Sequence, residues 1–172
     1  SDQLDEDGRK LLTILTGRVQ RMDALISGIL EYSRIGRTQE ALEEVHTGWL
    51  VSEIVEEIVP PERFRVTIAP DMPSLLAEPT RLRQVFQNLI ANAVNYMDKP
   101  AGQIRIGFEE RPSELCFSVS DNGPGIEERF FARVFLLFQT LASRDEREST
   151  GIGLAIVKRT VEHWGGTVSL ES

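Results

Sequence analysis

Asn88 and Asn92 stand four residues apart, and Asn95 follows three further on. On a helix the first pair lies one above the other on a single face. Each amide oxygen is a neutral ligand for a hard cation, and each amide nitrogen can donate to a phosphate oxygen. A Mg²⁺ ion keeps several waters and takes oxygens from phosphates, so it needs few protein ligands. Asparagine is a mediocre helix former and is ordinarily solvated when it occurs in one. Three in eight positions beside apolar neighbours sit poorly with that ordinary reading, although they do not remove it.

Two glycine segments lie downstream. In Asp121-Asn-Gly-Pro-Gly125, Gly123 and Gly125 permit backbone angles and close approaches closed to other residues. Asp121 can accept a hydrogen bond from an amino group such as that of adenine. Gly151-Ile-Gly153-Leu154 opens a helix, whose first N–H groups can face a phosphate. Taken singly, the first is an ordinary Asp-Asn-Gly turn and the second is a weak signal.

The elements that must carry these residues follow from periodicity. The stretch from Gly8 to Arg34 has Leu11, Leu15, Val19, Met22, Ile26 and Ile29 at steps of three and four, widened by Leu12, Ile14, Leu25 and Leu30. So wide an apolar face suits a helical bundle, and its partner must come from the next domain, a second chain or residues upstream. A connection with the domain boundary is expected over 36–44, giving regions 1–38 and 45–172. A helix follows from Gly48 to Val59, stopped by Pro60-Pro61. Phe64–Ala69 and Leu75–Ala77 read as strands. Pro79 to Met97 is the strongest amphipathic helix, with Leu82, Val85, Phe86, Leu89, Ile90, Ala93 and Val94 on its core face. Ile104–Phe108 and Leu115–Val119 alternate as an antiparallel pair. Beyond them come a short apolar stretch at Phe130–Leu141, a polar loop at Ala142–Thr150, a helix from Gly151 to His163, and a strand at Thr167–Leu170. The order predicts an α+β, two-layer sandwich, with a mixed sheet covered on one face by helices and a long bundle-type helix in front.

Composition narrows the function classes. The 172 residues carry 19 basic and 27 acidic side chains, a formal charge of −8. That balance argues against a duplex nucleic-acid binder, which needs clustered Lys and Arg. A nucleotide is compatible, because it brings its own cation and backbone N–H groups can hold phosphate. No apolar run is long enough to span a bilayer. The single cysteine, Cys116, reads as a small buried hydrophobe in a reduced, cytoplasmic setting.

The segments acquire specificity together. Asn88-x-x-x-Asn92, Asp121-x-Gly123-x-Gly125, Phe135-x-x-Phe138 and Gly151-x-Gly153-Leu154 occur in the order and spacing of the N, G1, F and G2 boxes. With Arg81–Ala93, Val119–Ile126 and Thr150–Lys158 around them, they resemble the ATP-binding domain of sensor histidine kinases, the kinase branch of the GHKL superfamily with its Bergerat fold. Arg21–Arg34 resembles the second helix of the dimerisation and histidine-phosphotransfer domain beside phytochrome-like and PAS-type sensors.

The resemblance implies a set of roles. Asn92, with Asn88 beside it, would ligate Mg²⁺, and the two would form the catalytic pair. Asp121 would hold the adenine amine, while Gly123, Gly125 and Ile126 shape the base pocket. Asn95 and Tyr96 would lie along the nucleotide. Thr150, Gly151, Ile152, Gly153 and Leu154 would approach the phosphates. Phe135 and Phe138 would anchor a lid at Gln139–Thr150. ATPase relatives generally have glutamate where Asn88 stands. An amide cannot take a proton, so the implied reaction is γ-phosphoryl transfer to a histidine, relayed to an aspartate of a response-regulator receiver domain, and not efficient hydrolysis. A homodimer through bundle helices is the implied assembly.

Some positions depart from the pattern. Neither His46 nor His163 sits in an H-box context, so both read as structural or surface residues and the phosphoacceptor is expected upstream of Leu4. Asn95 replaces a frequent lysine, Ser149 replaces a frequent glycine, and Leu136-Leu137 add apolar bulk. A last strand is expected to be missing after Ser172. A degenerate, non-catalytic interaction module and a GHKL serine kinase or ATPase are the competing readings.

Overall fold

A computed structural model describes residues 6–37, 40–140 and 150–172. Helix α1 spans Glu6–Arg34. It is followed by β1 (Glu43–His46), α2 (Thr47–Ile58), β2 (Arg65–Ile68), β3 (Ser74–Ala77), α3 (Pro79–Asn95), β4 (Gln103–Arg111), β5 (Glu114–Asp121) and α4 (Gly153–His163). Strand β4 pairs in parallel with β2 and antiparallel with β5, giving the expected mixed sheet. Strands β1 and β3 form a separate antiparallel pair.

Alternation along β4 decides which face is covered. Ile104 and Ile106 are buried, whereas Gln103 and Arg105 are exposed. The buried row meets Val51 and Ile54 of α2 and Leu82, Phe86, Ile90 and Ala93 of α3. Phe86 meets Phe117 of β5 edge to face, with ring centroids 5.5 Å apart. Burying a phenylalanine this fully contributes roughly 1.5–3 kcal/mol. Helices therefore lie on one face of the sheet, and the architecture is the two-layer α+β arrangement expected.

Helix α3 starts at Pro79, where a missing N–H costs nothing. It ends at Asn95, two residues before the expected Met97, and the Tyr96 N–H bonds the Asn92 carbonyl at 2.9 Å. Helix α2 ends at Ile58, and its cap Val59, just before Pro60-Pro61, is left-handed with φ of +48°. The apolar stretch after Ile126 is a short 3₁₀ turn at Glu128–Phe130 followed by further turns, with Val134 buried.

Two expectations need correction. Strand β1 begins inside the expected 36–44 connection. Only Val45 of its four residues turns inward, so charged Glu43 and Glu44 hide the alternation. Conversely, Thr167–Leu170 is not a strand. Val168 and Leu170 are half-buried and their neighbours exposed, as the alternation predicts. Among the described residues, however, the segment makes no backbone ladder bond, and alternation without a paired neighbour is not a strand.

Among the described residues, the apolar packing of helix α1 on the rest of the chain lies toward its C-terminal end. Leu25, Tyr32 and Ile35 pack with Ile152, Ile156 and Leu137. Gly28 allows this approach, since a Cβ there would lie 3.0 Å from Ile152 Cδ1. Leu11, Leu15, Val19, Met22 and Ile26 stay exposed. No helix of the described residues is long and apolar enough to cross a membrane.

Candidate functional site

Helix α3 carries the asparagines. Asn88 and Asn92 are half-buried and Asn95 is exposed. The distance from Asn88 to Asn95 along the axis is about 10 Å at 1.5 Å per residue. Two loops meet this helix at different heights. At its C-terminal end, a Cβ on Gly123 would lie 3.9 Å from Met97 Cα, so the β5 loop abuts the residues just after Tyr96. Further back, a Cβ on Gly153 would lie 3.0 Å from Asn88 Oδ1. The arrangement therefore offers one binding element at each end of a row of amides, and a ligand touching both must be elongated.

The loop after β5 is held by its own side chains. Asp121 Oδ1 accepts the Gly123 N–H at 2.8 Å, and the same oxygen would be only 2.7 Å from a Cβ at Gly123. A side chain there would displace the Asp121 carboxylate from this bond. Asn122 turns away from α3, accepting the Gln103 N–H at 2.7 Å and so fixing the loop to the start of β4. Gly125 has φ of +74°, and the Ile126 N–H donates to Ser172 Oγ at 2.7 Å.

The second loop crosses itself at Gly151, with φ of +66°. A Cβ there would run into backbone atoms of Phe138 and Gln139 at 2.8–2.9 Å, which cannot give way. The Phe138 N–H donates to the Gly151 carbonyl at 2.9 Å. Phe138 itself has φ of +63°, a conformation that is strained for an aromatic residue. These two residues clamp the ends of the segment expected to be a lid. Of that segment, 141–149, including Ser149, lies outside the described residues. Thr150 and Leu154 are half-buried. Ile152 is buried against α1, so its side chain points away from the asparagines and only its backbone can serve the site. Phe135 lies under Lys158, whose Nζ is 5.9 Å from the ring centroid.

Two observations bear on whether a nucleotide with its cation fits. Asn88 Nδ2 is buried without a hydrogen-bond partner. Such an orphan costs roughly 1–3 kcal/mol. The N-terminus of α4 has no side-chain cap and no acidic residue in its first turn, leaving N–H groups for an anion. Amide oxygens supply cation ligands, and among the described residues no group of three His, Cys, Asp or Glu competes for that role. The residues fit the group. A shallow, open cavity lies elsewhere, on the open sheet face beside Arg65, Thr67, Gln103, Ile104 and Arg105.

The histidines do not join this row. His46, just ahead of α2, packs at a tilt against Trp49 with centroids 4.7 Å apart and hydrogen-bonds Ser74. His163 lies in the last turn of α4, beside Gly36.

One residue escaped the sequence analysis. Glu78, just before α3, is buried and accepts hydrogen bonds from Trp164, Arg81 and the Glu40 backbone. Burial pushes its carboxyl up, but the Trp164 and Glu40 N–H groups and the Arg81 guanidinium outweigh this and hold it below the usual glutamate value. Its only signal in the sequence is an acidic residue beside a helix-starting proline.

Comparison with known proteins agrees with this geometry. The family described as histidine kinase-, DNA gyrase B-, and HSP90-like ATPase matches residues 77–172. Cyanobacterial phytochrome A from Nostoc sp. is 37% identical over 99% of this chain and 23% of its own length. Phytochrome-like protein Cph1 from Synechocystis sp. is 35% identical over 100% of this chain, again 23% of its own length. The chain thus spans about a quarter of these relatives. The structure of full-length ShkA in complex with AMPPNP matches with a TM-score of 0.78 and 27% identity, covering 99% of this chain and 37% of that one. The two-layer α+β architecture is the GHKL (Bergerat) fold.

Proposed function

From the premise that the chain belongs to the histidine kinase-, DNA gyrase B- and HSP90-like ATPase family, as a catalytic domain related to phytochrome-associated and two-component sensor kinases, we propose that it is the Mg²⁺·ATP-binding, phosphoryl-transferring portion of a sensor histidine kinase. The observation that carries this reading is the buried, unpartnered amide of Asn88 set against Gly153, with Asp121 at the other end of the same helix.

In this reading Asp121 accepts from the adenine amine, and Gly123, Gly125 and Ile126 give the base its backbone surroundings. Asn92 and Asn88 present amide oxygens to Mg²⁺, and Asn88 keeps a donor for phosphate. Asn95 and Tyr96 flank the nucleotide. Thr150, Gly151, Ile152, Gly153 and Leu154 offer backbone N–H groups at the start of α4. Phe138 fixes the base of the lid. When bound, Mg²⁺·ATP supplies the transferable γ-phosphoryl group. The residues of this chain would position it and Mg²⁺ would neutralise its charge, which is most of what phosphoryl transfer requires. An amide at position 88 cannot deprotonate water, so transfer to a histidine nitrogen is favoured over hydrolysis.

Residues 1–38 then belong to a dimerisation and phosphotransfer bundle, and residues 45–172 form the catalytic domain. The exposed apolar row of α1 supports a homodimer through bundle helices. A receiver-domain aspartate would take the phosphoryl group onward, in the cytoplasm.

The test is to incubate the chain with radiolabelled ATP, Mg²⁺ and a separately supplied H-box helix domain. The expected result is label on the H-box histidine, lost on Asn92→Ala, with slow phosphate release in its absence. Nucleotide binding without transfer to any H-box domain would favour the non-catalytic module. Rapid phosphate release would favour an ATPase.

A further inference from the structure

Glu78 belongs to none of the nucleotide boxes, yet three parts of the fold converge on its carboxylate. Oε1 accepts the Glu40 backbone N–H at 3.2 Å and Arg81 Nε at 3.0 Å, and Oε2 accepts Trp164 Nε1 at 2.8 Å. Glu40 lies in the connection after α1, Arg81 in the first turn of α3, and Trp164 just past α4. The contacts extend outward. Glu40 Oε1 accepts from the Thr80 N–H at 3.1 Å and Oγ1 at 2.6 Å, capping α3 from outside it. Arg81 also reaches the Arg34 carbonyl at 3.4 Å, at the end of α1.

The far end of the same helix pair is the nucleotide site. From Glu78 to Asn88 is 10 residues along α3, and from Trp164 back to Gly153 is 11 residues along α4. At 1.5 Å per residue these spans are nearly equal, about 15 and about 16 Å. The helices run antiparallel, with Glu78–Trp164 closing one end and Asn88–Gly153 the other. Any slide of α4 along α3 moves Gly153 against Asn88, where a Cβ would have only 3.0 Å.

We propose that Glu78 is a positioning residue: its carboxylate sets the register of α3 against α4 and ties that register to the end of α1, so nucleotide affinity follows where α1 ends. The affinity part rests on the nucleotide reading above, whereas the register part stands without it. Glu78 touches no ligand. It acts through α3 and α4, and Glu40 and Arg81 are the route by which a displacement of α1 reaches them.

The experiment uses the 172-residue chain with Trp164→Phe, which removes one N–H and keeps a ring, and with Glu78→Gln and Glu40→Gln. Amide hydrogen exchange is read first, without nucleotide. Ile156, whose N–H bonds the Ile152 carbonyl at the start of α4, is the reporter, and the β4 amides control for global destabilisation. We expect Ile156 to exchange about fivefold faster or more in Trp164→Phe and Glu78→Gln, with β4 unchanged, and the Kd for Mg²⁺·AMPPNP to weaken by a similar factor. The double variant should be no worse than the larger single, since the two share one bond. Faster exchange confined to Glu40, Thr80 and Trp164, with Ile156 and Kd as in the wild type, overturns the proposal. If Glu78→Gln loses its fold by circular dichroism, Trp164→Phe decides. A wild type that binds no nucleotide refutes the reading of the site, and the exchange at Ile156 still decides the register.

Discussion

The two ends of the α3–α4 pair are built on opposite terms. At the Glu78 end every oxygen of a buried carboxylate is engaged, by an indole, a guanidinium and a backbone N–H. At the Asn88 end a buried amide nitrogen is left without a partner and a glycine is held close beside it. Both ends are polar and both lie between the same helices. The contrast is between a carboxylate whose partners are all supplied by the fold and an amide nitrogen that, like Thr160 Oγ1 of α4, is supplied with none.

Substitutions can break or sharpen that contrast. As a reference for the core they share, Phe86→Ala should cost about 3–5 kcal/mol in urea melts, since the ring is fully buried. Glu78→Ala should come next, about 3 kcal/mol, because it strands three buried or part-buried donors at once. Gly153→Ala should change stability by less than about 1 kcal/mol, as the gain in helix propensity offsets the crowding of Asn88, yet it should weaken AMPPNP binding about tenfold, or about 1.4 kcal/mol. Asn88→Ala should be the mildest in melts, within about 0.5 kcal/mol or slightly stabilising, while reducing nucleotide affinity. If Asn88→Ala proves as destabilising as Glu78→Ala, the contrast fails.

Acid titration probes the satisfied end alone. The Glu78 carboxyl is held below its ordinary value, so its contribution is fully present above the unfolded-state value and is lost as pH falls through the lower folded-state value. The groups facing it are Arg81, Trp164 and the Glu40 connection. The stability difference between wild type and Glu78→Gln should therefore shrink as pH drops below the usual glutamate range. A difference that grows toward low pH would contradict the assigned direction.

How far the sequence reveals these two ends differs for physical reasons. Asn88, Gly123, Gly151 and Gly153 stand out in the sequence because asparagine and glycine are costly inside regular structure. Glu78 is not, because a buried glutamate has no local signature. Its partners lie 38 and 86 positions away, and only the fold brings them together. Strand β1 was hidden by the same logic, with one inward residue in four. The periodicity of α3 gave its core face correctly because a long buried stripe leaves little choice. The wide stripe of α1 signalled a partner, and among the described residues the body of the chain covers its C-terminal end, by Ile152 and Ile156. Ile152 shows the limit of motif reasoning in another way, since a residue inside a phosphate-type loop spends its side chain on α1.

The central claim is that α3 and its two glycine loops hold a nucleotide with Mg²⁺. Calorimetric titration of AMPPNP, with and without Mg²⁺, against wild type, Asn92→Ala and Asp121→Ala tests it most directly. The account predicts saturable binding that disappears in Asp121→Ala, with a Mg²⁺-dependent increment that disappears in Asn92→Ala. Well-folded wild-type protein that takes up no nucleotide, or binding indifferent to both substitutions, would contradict it.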